Sequence, residues 1–194
     1  MVKKARKAVV CRWTDRVSRA DRGAAVVEFA LVLPVLVMLM LGILTAGIAY
    51  NRKIAVTNGV REGSRYGATL PVASAPSCSL STQLECWLSQ VATITQQASE
   101  GELGSSVATR QICVAYVYPN GTTTNDQTWR IVRSESGDSF ASGNCFADGR
   151  ADDAERRVQV SASRDGEIEW AFGSTNVTLS SRSVTKFEAA TNEQ

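Results

Sequence analysis

The sequence GAAVVEFALVLPVLVMLMLGILTAGIAY, from Gly23 to Tyr50, determines how the rest of the chain is organised. From Ala24 to Tyr50 the only charged residue is Glu28. About 20 apolar residues are enough to cross the hydrocarbon core of a bilayer as a helix, so this run can span with some tilt. A soluble core helix seldom needs so long an uncharged stretch. The run therefore predicts a transmembrane helix over residues 24–50.

Glu28 is unusual in this setting, because a charge inside an apolar segment is costly and is normally retained for a partner or a function. Its position near the start of the helix offers a simpler explanation, since the side chain can reach the interface and the helix N-terminus favours an anion. Two further features favour a function. Gly23 directly follows a basic segment, and Glu28 is the fifth residue after that glycine.

These features resemble the start of bacterial pilins and pseudopilins, in which a prepilin peptidase cuts after a glycine and a glutamate follows at mature position five. The closer resemblance is to TadE-like proteins of the Tad (Flp) type IVb pilus system. It is carried by the Gly23–Tyr50 segment and by a second piece, NGVREGSRYGA, from Asn58 to Ala68. The resemblance implies cleavage between Gly23 and Ala24 and an assembly role for Glu28 and Phe29. In that picture Glu28 pairs with the free amine of Ala24 on a neighbouring subunit.

Charge is distributed unevenly along the 194 residues, whose net charge is +2. Residues 1–23 hold eight basic and two acidic residues, whereas the remainder holds 13 basic and 17 acidic ones. Basic residues that flank a span stay on the cytoplasmic side, which predicts an inside N-terminus and an outside C-terminal domain. Arg52 and Lys53 argue weakly for the opposite orientation. A basic arm can also bind nucleic acid, but beside a membrane span the orientation signal is the better interpretation.

The five cysteines divide into Cys11, in the leader, and four on the predicted outer side, where disulfides persist. Four cysteines allow three pairings. We favour Cys78–Cys86 and Cys113–Cys145, because each pair closes a local loop. Zinc would need ligand pairs at short spacing or histidine, and the sequence has neither.

Small residues and one proline mark the long helix. Pro34 should bend it, and Gly42 and Gly47 could admit a partner helix, although a lipid-facing small patch is as good an explanation. Beyond Tyr50 we expect the helix to continue to residue 70. Gly59, Gly63 and Gly67 recur every fourth residue and share one face. Each costs about 1 kcal/mol relative to alanine, so we expect this face to pack closely, on a sheet as in pilin-like proteins, or the helix to fray early.

The rest of the chain predicts a small α+β domain over residues 71–194. Thr82 and Glu85 form a capping-box pattern at the start of an amphipathic helix that runs from Ser81 to about Ser99. Strand patterns follow at 112–118, 128–133, 157–163, 167–172 and 176–187. Asp165-Gly166 is a hairpin-turn signal, and residues 134–155 show no periodicity.

No catalytic pattern stands out. Without histidine, Ser-His-Asp and Cys-His arrangements are impossible, and no nucleotide-binding loop is present. Four acidic residues of one loop could bind calcium, though their spacing matches no EF-hand: Asp148, Asp152, Asp153 and Glu155.

We therefore expect a pilin-like α+β protein that is not an enzyme and carries no metal or cofactor. It would have a leader (1–23), a membrane helix (24–50), a helix extension (51–70) and an outer domain (71–194). The resemblance implies a minor pilin or pseudopilin that takes part in assembly of an adhesive pilus. Its partners would be the prepilin peptidase, other pilins and pseudopilins, the inner-membrane assembly platform and the lipid bilayer, and not nucleic acid. The alternative is a permanently membrane-anchored adhesion or binding module.

Overall fold

The computed structural model describes residues 19–118, 128–149, 155–170 and 173–188. Its elements are helix α1 (Arg19–Thr69), a 3-10 turn (Val72–Ser74), helix α2 (Gln83–Gln97) and five strands. The strands are β1 (Gln111–Val117), β2 (Trp129–Ser134), β3 (Gly137–Ser142), β4 (Arg157–Trp170) and β5 (Gly173–Lys186). The protein is therefore α+β, as the sequence predicts. The chain divides into two compact units, one up to Gly42 and one from Ile43 onward.

The first unit contributes the beginning of α1. Its side chains from Gly23 to Leu41 are exposed, including Val26, Phe29 and Leu31. Among the described residues, α1 is the one helix long and apolar enough to cross a membrane, and its most apolar window, with a mean hydropathy of 2.6, is not buried by the protein. A core helix of a soluble protein would bury such a surface within its own chain, whereas the described residues leave this one exposed. The predicted kink residue, Pro34, lies inside α1 without ending it.

The second unit is built on an antiparallel sheet of order β3-β2-β1-β4-β5. Central strand β1 pairs with β2 and β4, so that Val114 lies opposite Ile131 on one side and Val160 on the other. These residues are fully buried because one face of the sheet packs against the helices. The hydrophobic core includes Val56 and Val60 from α1, four residues of α2, and the inward residues of β1, β2 and β4: Trp87, Leu88, Val91, Ala92, Ile112, Val114, Tyr116, Ile131, Val158, Val160 and Ala162.

Helix α2 begins as its sequence predicts. The Thr82 hydroxyl accepts a hydrogen bond from the Glu85 amide at 3.2 Å, and the Glu85 carboxylate accepts one from the Thr82 amide at 3.1 Å. This capping box satisfies backbone donors that the first helical turn would otherwise leave free. Trp87, one turn further on, is fully buried and donates its indole N–H to the Leu70 carbonyl at 2.9 Å. The bond ties α2 to the residue that follows α1.

Two strand predictions were wrong. Asp165-Gly166 is not a turn: β4 continues through both residues, which pair with Thr178 and Val177 of β5. The two strands stay paired as far as Trp170 and Gly173 because the alternating pattern resumes after the glycine.

Strand β3 lies in the segment 134–155 that showed no periodicity, and it is mostly exposed at the sheet edge. An edge strand without a buried face carries little hydrophobic signal.

Candidate functional site

The candidate cleavage bond lies within the first turns of α1. The helix begins at Arg19, and Gly23 and Ala24 are both exposed. A Cβ atom added at Gly23 would meet no other atom within 4 Å. Replacement of this glycine by alanine is therefore compatible with the fold.

Glu28 and Phe29 lie exposed on the apolar part of α1, with Phe29 61% exposed. Glu28 forms no hydrogen bond or ion pair with any described residue. The described residues therefore offer no reason for this charge, and a partner for its carboxylate has to come from elsewhere. Transfer of an unpaired carboxylate into hydrocarbon is unfavourable, so that partner matters if α1 spans a membrane.

The glycines of α1 separate into two groups. Gly42 and Gly47 have open space around them, since an added Cβ would meet nothing within 4 Å. At Gly59 an added Cβ would lie 2.7 Å from the Thr95 carbonyl oxygen and 2.9 Å from the Ser99 Cβ. At Gly63 it would lie 1.9 Å from the Thr95 hydroxyl oxygen. These two glycines let the backbones of α1 and α2 approach closely.

The expected packing of this face on a sheet was therefore wrong for Gly59 and Gly63, which meet α2. Only Gly67 reaches the sheet, where an added Cβ would lie 3.1 Å from Val158 and 3.2 Å from both Trp87 and Val91. The amphipathic helix α2 packs on β1 and β2, whereas α1 reaches β4 at Gly67 and β5 through the hydrogen bond between the Ser64 and Ser183 hydroxyls, so the glycine face meets α2 at the side. In the sequence, three glycines on one face of α1 indicated that another element packs closely there, but not which element it is.

The opposite side of this helical segment is polar and exposed. Arg61, Glu62 and Arg65 all lie there, and their side chains make no hydrogen bond or ion pair with described residues. Glu62 and Arg65 are three residues apart and share a helix face, but they do not form a salt bridge. Intramolecular packing thus accounts for the glycines of this segment and leaves its charges available to solvent or to another molecule.

The structure contains the two disulfides that the sequence spacing favoured, Cys78–Cys86 and Cys113–Cys145. The first joins the segment after α1 to the first turn of α2. The second joins β1 to the segment after β3. The fifth cysteine, Cys11, lies outside the described residues.

Asp148, one of the four candidate calcium ligands, has another role. Its carboxylate accepts bonds from Arg157 Nε at 2.7 Å and from Gln159 Nε2 at 2.9 Å. The Asp148 and Arg157 side chains are only 7% and 5% exposed, so this is a buried ion pair. Asp152 and Asp153 lie outside the described residues. Within the described ranges no group of three potential ligands is placed to hold a metal.

A groove of about 190 Å³ lies beside the second disulfide, on the sheet face opposite the helices. Its lining is mostly polar and includes Gln111, Ser161, Ser163 and Arg182. The Arg182 guanidinium lies 5.4 Å from the centre of the Phe146 ring, a cation–π distance. Serine hydroxyls without a base to activate them do not make a nucleophile. The groove therefore gives no support for a catalytic serine.

Among the described residues, Arg156 has a perturbed pKa. The guanidinium of Arg156 lies 4.5 Å above the Tyr118 ring and donates to its hydroxyl. Partial burial lowers the pKa of Arg156, but the Tyr116 and Tyr118 hydroxyls raise it, and the balance is upward. Arg156 thus stays cationic and supplies no acid–base group in the physiological range.

A second cleft, of about 420 Å³, lies within the second unit between α1 and the far half of β4. It is lined by Thr45, Ile48, Ala49, Arg52 and Glu167. Sequence reasoning missed this cleft, because the apparent turn at Asp165-Gly166 placed Glu167 in a separate strand. The continuous β4 is what brings Glu167 beside α1.

These features define a class of protein: an α+β domain held on the second half of one long helix whose first half is exposed and apolar. Residues 23–65 match the family model described as TadE-like protein. The match begins at the candidate cleavage glycine and ends in the exposed charged segment of α1, and residues 66–194 lie outside it. No curated protein and no solved structure matches the chain.

Proposed function

We propose that the chain is a TadE-like minor pilin or pseudopilin that takes part in assembly of a Tad (Flp) pilus. The family match to residues 23–65 suggests a Tad pilus-associated protein. The observation that carries the finer proposal is the division of α1: its first half is exposed and apolar, and its second half holds the domain through Gly59, Gly63 and Gly67. Such a helix can pass from lipid into a bundle of similar helices, since both surroundings accept an apolar surface.

Processing is the first step of the proposed function. A prepilin peptidase would cut between Gly23 and Ala24 and remove the basic leader. The exposure of both residues supports access to this bond. Cleavage would create a free amine on Ala24, which is a cation positioned at the start of the apolar helix.

Glu28 would then serve in assembly. Its carboxylate has no partner among the described residues, and the Ala24 amine of a neighbouring subunit would supply the opposite charge. Pairing two charges lowers the cost of holding either one in a medium of low dielectric constant. Phe29 would pack against the neighbouring helix. Gly42 and Gly47, which have open space around them, would allow that helix to approach.

The proposed location is the cytoplasmic membrane, with the N-terminus inside and the domain outside. The partners are the prepilin peptidase, other pilins and pseudopilins, and the inner-membrane assembly platform. The large outer domain supports a low-copy role, at the tip or at the platform, rather than that of a major pilin. Adhesion would be the task of the assembled pilus.

The direct test is the mass and N-terminal sequence of the protein recovered from its native host, beside a Gly23→Ala variant. We expect a mature chain that starts at Ala24, and loss of this product in the variant. Because alanine fits at position 23 without a clash, such a loss would reflect the peptidase and not a folding defect. An intact leader in both proteins would overturn processing and favour a permanently anchored adhesion or binding module.

Assembly is tested separately with Glu28→Gln, and Glu62→Gln is the matched control, because it neutralises an exposed carboxylate on the same helix. We expect Glu28→Gln to be cleaved but lost from the assembled fraction that holds the parent protein, either sheared pili or the solubilised assembly platform, and Glu62→Gln to be cleaved and retained there. Normal incorporation of the Glu28→Gln protein would argue against the proposed charge pair.

A further inference from the structure

The cleft between α1 and β4 combines two kinds of surface. Ile48 and Ala49 line it from the helix, and two residues of opposite charge, Arg52 and Glu167, line it as well. Its volume of about 420 Å³ falls within the usual range for small-molecule sites. One cation, one anion and an apolar wall are the three elements needed to hold an amphipathic zwitterion.

Both charged groups are available to a ligand. Arg52 approaches Glu102 only to 3.9 Å, and its side chain is 40% exposed. Glu102 is itself paired with Arg164, so it does not neutralise Arg52 alone. Glu167 is exposed and makes no hydrogen bond or ion pair with any described residue. Two residues of opposite charge thus line one cleft, and they form no salt bridge with each other.

The cleft lies at the level where the apolar run ends. Thr45, Ile48 and Ala49 belong to that run, whereas Asn51, Arg52 and Lys53 follow it directly. Tyr50, which is 69% exposed, occupies the boundary, where tyrosine is favoured in membrane proteins. If α1 spans a bilayer, acyl chains meet the apolar wall and headgroups meet Arg52 and Glu167.

We propose that this cleft binds the headgroup of a zwitterionic phospholipid with a primary amine. The lipid phosphate pairs with the Arg52 guanidinium, its ammonium donates to the Glu167 carboxylate, and one acyl chain lies along Ile48 and Ala49. Arginine suits the phosphate because its planar donors match two oxygens at once. An anionic headgroup would leave Glu167 without a cation and would place like charges together. The inference rests on membrane insertion of α1 and is independent of a role in a pilus.

The test is native mass spectrometry of the full-length protein released from detergent micelles that contain equal amounts of phosphatidylethanolamine and phosphatidylglycerol. We expect preferential retention of phosphatidylethanolamine. Glu167→Gln should reduce this retention roughly tenfold, the effect of losing one charge-assisted hydrogen bond. Glu167→Lys should reverse the preference toward phosphatidylglycerol. Soluble phosphoethanolamine, added without acyl chains, should compete weakly because it lacks the apolar contact.

Two matched variants control the experiment. Glu135→Gln neutralises an exposed carboxylate in the turn between β2 and β3, and Arg61→Gln neutralises an exposed cation further along α1. Both should retain lipid as the parent protein does, whereas Arg52→Gln should lose it. Equal retention of the two lipids by the parent protein, or equal loss in the control variants, would overturn the proposal. A dimer that forms without lipid and is abolished by Glu167→Gln would instead assign the cleft to a second copy.

Discussion

At the scale of single residues, Thr95 and three glycines determine how the domain is held on α1. The Thr95 hydroxyl donates to the Val91 carbonyl at 2.9 Å, which places its oxygen where a side chain at position 63 would have to lie. The Thr95 carbonyl oxygen occupies the corresponding space beside Gly59. Each glycine lowers helix stability by about 1 kcal/mol relative to alanine, but its missing side chain allows the two helices to approach closely.

This arrangement predicts an order of effects for alanine substitution. Gly59→Ala should destabilise the fold most, by about 3 kcal/mol, because it meets backbone and Cβ atoms that cannot rotate away. Gly63→Ala should cost about 2 kcal/mol, since its closest neighbour is a hydroxyl. Gly47→Ala should be neutral or stabilising by up to about 1 kcal/mol. Denaturant unfolding in micelles, followed by tryptophan fluorescence, measures all three.

A second substitution distinguishes overpacking from a general loss of helix stability. Thr95→Ala removes the hydroxyl that opposes position 63 and should recover part of the loss in Gly63→Ala. It should recover nothing in Gly59→Ala, where the backbone carbonyl of residue 95 remains. Equal recovery in both, or none in either, would contradict the proposed contacts.

At the scale of elements, the sequence predicts best where a local rule is decisive. The capping box of α2 and the end of α1 before Pro71 follow from neighbouring residues alone. Strand β4 shows the limit, because Asp165-Gly166 carries a strong local turn signal that pairing with Val177 and Thr178 overrides. The apolar segment of α1 and its glycines could be recognised in the sequence. The cleft between α1 and β4 could not be predicted, because Glu167 reaches α1 only through that long-range pairing.

The two disulfides should contribute unequally. Cys113–Cys145 spans 32 residues and Cys78–Cys86 spans 8, so the longer loop loses more chain entropy when it is closed. The loop model gives about 4 kcal/mol for the longer and about 2.5 kcal/mol for the shorter. We expect unfolding of the Cys113→Ser/Cys145→Ser protein to begin at lower denaturant than that of Cys78→Ser/Cys86→Ser. Each double variant controls for the other. A larger loss for the shorter loop would mean that native contacts, not chain entropy, dominate.

At the scale of the whole molecule, charge and cysteine content bear on the same question of orientation. The basic residues are concentrated in residues 1–23, and the remainder carries an acidic excess. This asymmetry predicts an inside N-terminus. The disulfides engage four of the five cysteines, which leaves Cys11 as the remaining thiol in the sequence. Cys11 lies on the basic side of the apolar run, so it reports both the position of the N-terminus and the fate of the leader.

Thiol labelling therefore tests topology and processing together. In the Gly23→Ala protein, which should keep its leader, a membrane-impermeant maleimide should label Cys11 only after spheroplasts are permeabilised. The same reagent should label a Glu135→Cys variant in intact spheroplasts, because residue 135 is exposed on the domain. The parent protein should lose its label altogether once the leader is removed. Labelling of Cys11 in intact spheroplasts would contradict the predicted orientation. The domain, with the cleft between α1 and β4, would then lie on the cytoplasmic side.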